Sequence, residues 1–378
     1  MKRWMHIFIP GVLLATVMAC SHRRLLEENG AREPDRSWNW GGTPGRSGYH
    51  AGTTRFPMDL AWIHKAQAGV ERALNAFNGY VLFGTKDGTV VILDADRGKP
   101  VRRVRFRKKS GVTCVVDGPR LITAQRWGED VLASTRLNTL ERVWHVPSGF
   151  VEGEPLLVDG RVVVASVSGE LLCLDAETGS RAWGRDLGAS VRGSPCSATG
   201  AVFLTTEEGS IWSLDTEDGG VRWRHRVSGT FIAGPVAAQG ALFVGSKEER
   251  FYAFDASTGE PLWSKRTRGR VFEEAAFAGG SVFYGTALGD IVCLEADTGE
   301  ERWRFETGAG IGASPLVTEN AVVFGNLDGL LYALDRFTGE ALWRFKARGR
   351  VRTTPLIWDG MLFCASEDEY VYGFKPAD

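Results

Sequence analysis

Five copies of one ten-residue segment follow each other at a constant spacing of 40 residues, and each copy ends in tryptophan. Every copy begins with Leu or Phe, continues with Asp or Glu, and has Gly at its sixth position. A fixed period of this size indicates stacked repeat units that bury their apolar faces against their neighbours. The five tryptophans that end these segments are Trp183, Trp223, Trp263, Trp303 and Trp343.

Weaker copies extend the series to eight positions. Trp144 lies 39 residues before Trp183, Arg102 occupies the equivalent position another 42 residues back, and Trp62 lies 40 residues before Arg102. Large indole rings suit the space between packed units, so we interpret all seven repeat tryptophans as structural. Arginine keeps its charged head in water. We therefore expect looser packing at Arg102, and we expect Arg102→Trp to be neutral or stabilising.

Each repeat unit contains the pattern of four short strands. In the unit that ends at Trp343, apolar runs cover 313–318, 321–325 and 330–334, and the fourth strand surrounds the tryptophan. Gly, Asp and Asn separate the runs, as hairpin turns require. No unit has room for two amphipathic helices, which excludes a helical solenoid. Four strands in about forty residues are typical of β-propeller blades.

The two ends of the repeat array are incomplete in complementary ways. After Trp343 the sequence predicts three further strands, at 354–358, 361–365 and 370–374, and no fourth strand. Trp62 lies in a strand that has no three strands before it. We predict an all-β fold, an eight-bladed propeller with four-stranded antiparallel blades. It closes when the N-terminal strand joins the last blade, which removes the exposed sheet edges.

The beginning of the chain has the pattern of an export signal. Two basic residues precede a mostly apolar stretch that is too short for a mature membrane-spanning helix and ends at Cys20. The last residues of the stretch resemble the bacterial lipobox, which implies lipidation of Cys20. The alternative is an ordinary signal peptide with a chance cysteine. The expected organisation is a signal peptide at 1–19, a lipidated tether at 20–37 and the propeller at 38–378.

Charge and cysteine content narrow the classes of partner. The chain has 45 Lys and Arg against 46 Asp and Glu, a formal net charge of −1. No global field therefore favours nucleic acid, and we expect membrane contact through the lipid anchor alone. Five widely spaced cysteines follow Cys20, without a CxxC pair. The odd number and the wide spacing argue against a disulfide framework, and the absence of a CxxC pair argues against a zinc or haem site. We expect a monomeric propeller.

The repeat G-x-[LIV]-x-x-L-D-x-x-T-G-x-x-x-W resembles the quinoprotein-type, or PQQ-like, propeller repeat. Residues 38–48, WNWGGTPGRSG, are similar to the entry motif of such propellers. Together with a lipobox and a short tether, the repeats resemble the BamB family, the lipoprotein scaffold of the outer-membrane β-barrel assembly machine. This resemblance implies a non-enzymatic protein-docking scaffold without a cofactor, anchored in the outer membrane and facing the periplasm.

The sequence is also compatible with two other functions. One is a surface propeller that binds a small molecule or a polysaccharide, and the other is a quinone-dependent dehydrogenase. Quinoprotein enzymes are similar in repeat type but generally longer. Several of them carry adjacent cysteines over the quinone, and they need a calcium site and an aspartate base. This sequence has no adjacent cysteines, and many of its acidic residues lie in the repeat turns, where they have a structural role.

Several connections between blades are strongly basic. They lie on one face of a propeller, where rigid blades hold exposed loops in place. One interpretation is a docking face for a protein partner, with a basic sector opposite a nearly uncharged one, and the other is a solvated rim neutralised by nearby acidic hairpins. The candidate partner-binding residues are Arg107, Lys108, Lys109, Arg266, Arg268, Arg270, Arg348, Arg350 and Arg352.

Overall fold

The computed structural model describes residues 37–39, 41–106, 110–126 and 132–377. Within these ranges the chain forms 33 β-strands, and none of its elements is a helix that could cross a membrane. The expected signal peptide, the lipidation site at Cys20 and almost all of the tether lie outside the described residues. The strands form eight sheets, and each sheet is one blade.

The blades follow each other along the chain, with the innermost strand of each first. Blade 1 contains β3 (Val70–Phe77), β4 (Tyr80–Thr85), β5 (Thr89–Asp94) and β6 (Pro100–Arg105), and β1 (Ser37–Trp38) pairs with the inner edge of β3. Blade 2 contains β7 (Val112–Asp117), β8 (Arg120–Gln125), β9 (Leu132–Arg136) and β10 (Arg142–Val146). Blade 3 contains β11 (Leu156–Val158), β12 (Arg161–Ala165), β13 (Glu170–Asp175) and β14 (Arg181–Asp186). Blade 4 contains β15 (Cys196–Ala198), β16 (Ala201–Thr205), β17 (Ser210–Asp215) and β18 (Val221–Arg226).

Blades 5 to 7 repeat the same order. Blade 5 contains β19 (Val236–Ala238), β20 (Ala241–Gly245), β21 (Arg250–Asp255) and β22 (Pro261–Arg266). Blade 6 contains β23 (Ala276–Ala278), β24 (Ser281–Gly285), β25 (Asp290–Glu295) and β26 (Glu301–Glu306). Blade 7 contains β27 (Leu316–Val317), β28 (Ala321–Gly325), β29 (Leu330–Asp335) and β30 (Ala341–Lys346).

Blade 8 closes the ring with strands from both ends of the chain. It contains β31 (Leu356–Trp358), β32 (Met361–Ala365), β33 (Tyr370–Pro376) and, as its outer strand, β2 (Met58–Lys65). The antiparallel register runs from Met58 opposite Pro376 to Lys65 opposite Tyr370. The predicted eight blades and the predicted closure through the N-terminal strand are therefore confirmed.

Each repeat tryptophan joins its own blade to the next one. The indole Nε1–H donates a hydrogen bond of 2.8–3.0 Å to a backbone carbonyl of the following blade. Trp343 makes the corresponding bond to Met58 in the outer strand of blade 8, so the series crosses the closure. Burying an indole without losing its hydrogen bond lets the ring contribute packing at no polar cost.

The glycine of each repeat turn is required by the tryptophan of the preceding blade. Gly259 has a φ of +77°, and a Cβ atom there would lie 2.5 Å from the ring of Trp223. Gly98, Gly179, Gly219, Gly299 and Gly339 stand in the same relation to the preceding tryptophan. The turn itself is built as predicted, because Asp175 Oδ1 accepts hydrogen bonds from the backbone N–H and the hydroxyl of Thr178. Tryptophan and glycine are thus one unit of the blade contact.

The residue opposite each tryptophan on the third strand of its own blade is small. Cys173 pairs with Trp183 and Cys293 with Trp303, whereas Gly373 pairs with Trp62. The five cysteines within the described residues are all free and buried. Cys173 and Cys293 are therefore small core residues, and their recurrence follows from the space that the indole leaves.

Between blades 1 and 2, the tryptophan, the turn glycine and the small strand residue are all replaced by other residues. Arg102 donates hydrogen bonds to the carbonyls of Leu137 and Asn138 in blade 2, so its guanidinium takes the place of the indole N–H. Leu140 replaces the turn glycine, with a φ of +58°, and Ile92 faces Arg102 where other blades have a small residue. Both aliphatic side chains are larger than the residues at these positions in the other blades, so a tryptophan at 102 would have less space than elsewhere. The structure therefore argues against the expectation that Arg102→Trp is neutral or stabilising.

We predict that Arg102→Trp lowers the free energy of unfolding by about 1–3 kcal/mol, because it overpacks the site. Adding Ile92→Ala and Leu140→Gly should recover most of this loss, since the triple variant recreates the geometry of the other blades. The double variant that keeps Arg102 is the control and should stay destabilised by its cavity. Urea denaturation of the four proteins measures the coupling. A single variant as stable as the wild type would contradict this account.

The innermost strands are shorter than the sequence predicts. The run at 313–318 yields only β27, Leu316–Val317, whereas β28 has the predicted bounds. Residues before the innermost strands lie against the same segment of the next blade. A Cβ atom on Gly193 would lie 2.1 Å from the backbone nitrogen of Gly234. These residues line the central channel instead.

Candidate functional site

The propeller has two different faces. The connections between blades and the hairpins between second and third strands lie on one face, which we call the loop face. The repeat turns and the hairpins between first and second strands lie on the other, which we call the turn face. Backbone hydrogen bonds join neighbours on each face, from Glu207 to Ser190 on the loop face and from Thr216 to Gly200 on the turn face.

Residues 41–54, which we call the entry segment, close the channel from the side of the turn face. Their backbone carbonyls accept hydrogen bonds from the innermost strands of blades 4 to 7, through the N–H groups of Ser197, Ala237, Phe277 and Val317. These inner strands are sheet edges whose N–H groups would otherwise lack a partner. Glycine is needed in this segment for a steric reason, since a Cβ atom on Gly45 would lie 2.4 Å from the Ala237 carbonyl oxygen.

The side chain of Arg46 extends from the entry segment into the middle of the channel. Its side chain is 4% exposed and donates to the carbonyls of Pro195, Glu154 and Pro155 at 2.7–3.0 Å. The buried carboxyl groups of Glu154 and Glu274 lie close by, and each favours the charged guanidinium of Arg46 when it is ionised. The sequence analysis did not identify this cluster, because its members come from three distant segments.

Burial of Glu154 makes the channel sensitive to pH. Desolvation raises the pKa of its carboxyl group to about 8, although the attraction of Arg46 opposes the shift. A carboxyl group with a raised pKa binds more protons in the folded than in the unfolded state between its two pKa values. The free energy of unfolding therefore falls as the pH rises from about 4.5 to about 8.

We predict that Glu154→Gln reduces this pH dependence. The wild type should lose at least about 1 kcal/mol of stability from this group between pH 5 and pH 8, and the variant should not, because glutamine has no proton to release. Glu177→Gln, at an exposed turn position, is the control and should keep the wild-type slope. Urea midpoints across the pH range measure the difference. Equal slopes in all three proteins would exclude Glu154 as the titrating group.

The described candidate arginines are exposed on the loop face, but most have contacts within the chain. Arg268 pairs with Glu306 at 2.5 Å, and Glu367 of an acidic hairpin lies 3.9 Å from Arg350 and 2.9 Å from Arg352. The rim is thus partly neutralised, as the second interpretation of the sequence requires. Arg107, Lys108 and Lys109 lie outside the described residues.

The other three described candidates complete the rim. Arg266 ends β22, and Arg270 lies in the connection from blade 5 to blade 6, and both are exposed. The guanidinium of Arg348 stacks on the ring of Tyr370 at 4.4 Å and donates to its hydroxyl oxygen. Stacking holds Arg348 in a fixed direction while leaving it exposed.

The basic connections do not form one continuous sector. Blades follow their chain order around the ring, as the tryptophan bonds between successive blades show. The uncharged connection at 308–310 joins blades 6 and 7, between the basic connections of blades 5 to 6 and 7 to 8. The expected division into a basic and an opposite uncharged sector is therefore wrong, since basic and small loops alternate.

The channel opens on the loop face in a cavity of about 490 Å³, which we call the mouth. Equivalent residues of the repeat line it, at 152, 192, 232, 272, 312 and 352 in blades 3 to 8. The repeat position is occupied in turn by Glu, Arg, Ile, Phe, Gly and Arg. The mouth was not predicted from the sequence. The strong variation of this one position among otherwise similar repeats could have indicated a cavity there.

Fold and repeat define the chain as an eight-bladed propeller of the PQQ-like type. The sequence profile of the family described as "Outer membrane protein assembly factor BamB" matches residues 128–231, 227–289, 269–332 and 287–378. These matches cover more than half of the chain, which therefore belongs to the BamB family. None of the curated proteins matches it.

Solved structures share the fold at low sequence identity. BamB from Moraxella catarrhalis has a TM-score of 0.71 at 18% identity, covering 84% of this chain and all of that one. A quinohemoprotein alcohol dehydrogenase from Comamonas testosteroni has a TM-score of 0.75 at 14% identity, covering 95% of this chain and 84% of that one. A europium-containing methanol dehydrogenase has a TM-score of 0.74 at 12% identity, with coverage of 89% and 98%. These likenesses show the fold alone.

The described channel residues do not fit the quinone cofactor of such dehydrogenases. Buried Arg46 fills the channel below the mouth, and the carboxylates of Glu154 and Glu274 face the same layer. A quinone with several carboxylates needs several unpaired cations, whereas the arginines of the mouth are paired with Glu152, Glu207, Glu273 and Glu367. Within the described ranges, no three His, Cys, Asp or Glu side chains are grouped to hold a metal ion.

Proposed function

We propose that this chain is a non-enzymatic scaffold of outer-membrane protein assembly that docks a protein partner on its loop face. The observation that carries the proposal is the match of residues 128–378 to the BamB family, whose printed description is an assembly factor. The partner is a subunit of the barrel assembly machinery. The repeat tryptophans and the closing strand make the propeller a rigid support for this surface.

The geometry of the loop face supports a partner with an acidic, partly extended segment. Exposed ion pairs such as Arg268–Glu306 are worth little in water. A partner's carboxylates can therefore replace the internal acidic groups at small cost. Arginine is favoured at such surfaces because its planar head forms several hydrogen bonds. Charge at the rim then mainly sets the association rate and the register of the partner.

We predict that reversing two adjacent arginines on one loop weakens partner capture without unfolding the propeller. The variants are Arg268→Glu with Arg270→Glu, and separately Arg348→Glu with Arg350→Glu. Exposed charges contribute little to stability, so melting temperatures should stay close to the wild type. Quantitative pull-downs from detergent-solubilised envelopes, at low and high salt, should show less barrel-assembly subunit with either variant, and less with the wild type at high salt.

The matched control reverses two exposed cations on the turn face, Arg97→Glu with Lys99→Glu. This control should capture the partner as well as the wild type does. Equal capture by all proteins at both salt concentrations would show that the basic loops are merely solvated. Equal loss in the control would show a non-specific charge effect, which also contradicts docking on the loop face.

We further propose that the propeller is anchored through lipidated Cys20, at the periplasmic side of the outer membrane. The support is the lipobox-like sequence before Cys20, followed by Ser21 and a polar tether. Cys20→Ala should release the protein from membrane fractions or leave its signal peptide uncleaved, as membrane flotation and intact mass would show. Normal processing with unchanged membrane retention would contradict the anchor.

A further inference from the structure

The mouth of the channel is a closed-ended pocket rather than a pore. Arg46 and the entry segment fill the other end of the channel, as the burial of Arg46 and its bonds to blades 3 and 4 show. The volume of about 490 Å³ lies in the range of small-molecule sites. The mouth is also rigid, because its walls are the inner ends of packed blades.

The wall of the mouth is divided into an apolar and a charged arc. Blades 5 to 7 contribute the apolar residues Ile232, Phe272, Ile311 and Leu327, and two charged residues, Lys247 and Glu273, lie among them. Blades 8, 1, 3 and 4 contribute charged side chains, most of them arginine or glutamate. Apolar surface on one side and charge on the other suit an amphiphilic ligand, whose polar group fixes its orientation.

The charged arc is neutralised within itself. Arg192 lies 2.7 Å from Glu152 and 2.7 Å from Glu207, and Arg72 lies 3.8 Å from Glu273. Arg352 pairs with Glu367, which lies in the hairpin between β32 and β33. These pairs leave no spare carboxylate to attract a cationic ligand.

Lys247 stands apart from these pairs. It lies in the hairpin of blade 5, on the same blade as Ile232, and lines the same cavity as Phe272 of blade 6. Of the four cations that line the mouth, it alone has no carboxylate within ion-pair distance among the described residues. Glu207 of the same cavity interacts with Lys247 only from beyond ion-pair distance. A partly buried ammonium without a direct carboxylate partner, in a cavity with an apolar wall, suits an anion with an apolar body.

We infer that the mouth binds a small carboxylate with an aromatic or aliphatic body, with Lys247 contacting the carboxylate and Ile232, Phe272 and Leu327 contacting the body. The ligand's carboxylate supplies the charge that Lys247 lacks, and its body covers the apolar arc. The neutral arginine–glutamate pairs form the remaining wall and stay intact on binding. This site adjoins the basic loops of the proposed docking surface, since Phe272 and Arg352 lie in the same connections as Arg270 and Arg350, but Lys247 is not one of the docking cations.

The test uses the purified propeller, 3-phenylpropionate as the probe and 3-phenylpropionamide as its uncharged equivalent. Isothermal titration should give an affinity at least about tenfold higher for the acid, because a hydrogen bond to a charged group is worth about 1.5–3 kcal/mol. Lys247→Met should remove this preference by weakening the acid about tenfold or more while leaving the amide unchanged. The control Lys99→Met, on the turn face, should bind both probes as the wild type does.

A second variant tests the apolar part of the site, in case contacts with the ligand's body dominate binding. Phe272→Leu retains most of the apolar wall and should weaken both probes, several-fold and by equal factors. Equal affinity of acid and amide in the wild type, no effect of Lys247→Met, or no binding of the acid up to about 10 mM would each overturn the proposed site. Lys247→Met should still capture the protein partner, so loss of the small-ligand site and loss of the docking function are measured separately.

Discussion

The hydrogen bond from each repeat indole to the next blade is the interaction on which the rest of the structure depends. It fixes the distance between blades, since the ring must reach a carbonyl while packing flat on a turn. That contact leaves no room for a Cβ atom at Gly259 or Gly299 and only a small residue at positions such as 173 and 293. Three features of the repeat, its tryptophan, its turn glycine and its small strand residue, therefore have one physical cause.

At the centre of the ring, the inner edges of eight strands face a narrow channel, where no neighbouring blade can pair with them. The entry segment satisfies several of these N–H groups with its own carbonyls. To reach them it places Arg46 where water is excluded, and an unpaired charge there would be costly. Glu154 and Glu274 accompany it. The buried cluster is thus a consequence of closing one end of the channel with backbone, and it leaves the other end open as the mouth.

The blade count, the tryptophan register and the closing strand could be predicted from the sequence, because each rests on a pattern repeated many times along the chain. The innermost strands could not be bounded in this way, since the apolar run at 313–318 is the same whether its residues pair or line a channel. The entry motif and the variable repeat position at the mouth are visible in the sequence, but the contacts that they make were not predictable. Arg46 bonds to the carbonyl of Glu154, which is more than 100 residues away, and no spacing within one repeat indicates such a contact.

Arg102 shows how far the repeat rule extends. The replacement looked like a defect when it was judged from one position, because its partner residues lie elsewhere, Ile92 in the neighbouring strand and Leu140 in the turn of blade 2. The structure shows that the guanidinium preserves the bond to the next blade, while the space of the indole is filled from two sides. A repeat position is therefore interpretable only together with the positions that it contacts across the blade boundary.

Closure through β2 also determines the order in which the ring can be completed. β2 is made early, but its partner β33 ends at Pro376, so almost the entire chain must exist before blade 8 can form. Contacts between such distant segments form slowly, because a large loop must close before they contribute any stability. Throughout synthesis the first outer strand has an unpaired edge, and blade 7 lacks the carbonyl that Trp343 binds in the finished ring. The nascent protein is therefore most exposed to unwanted strand pairing just before its last residues arrive.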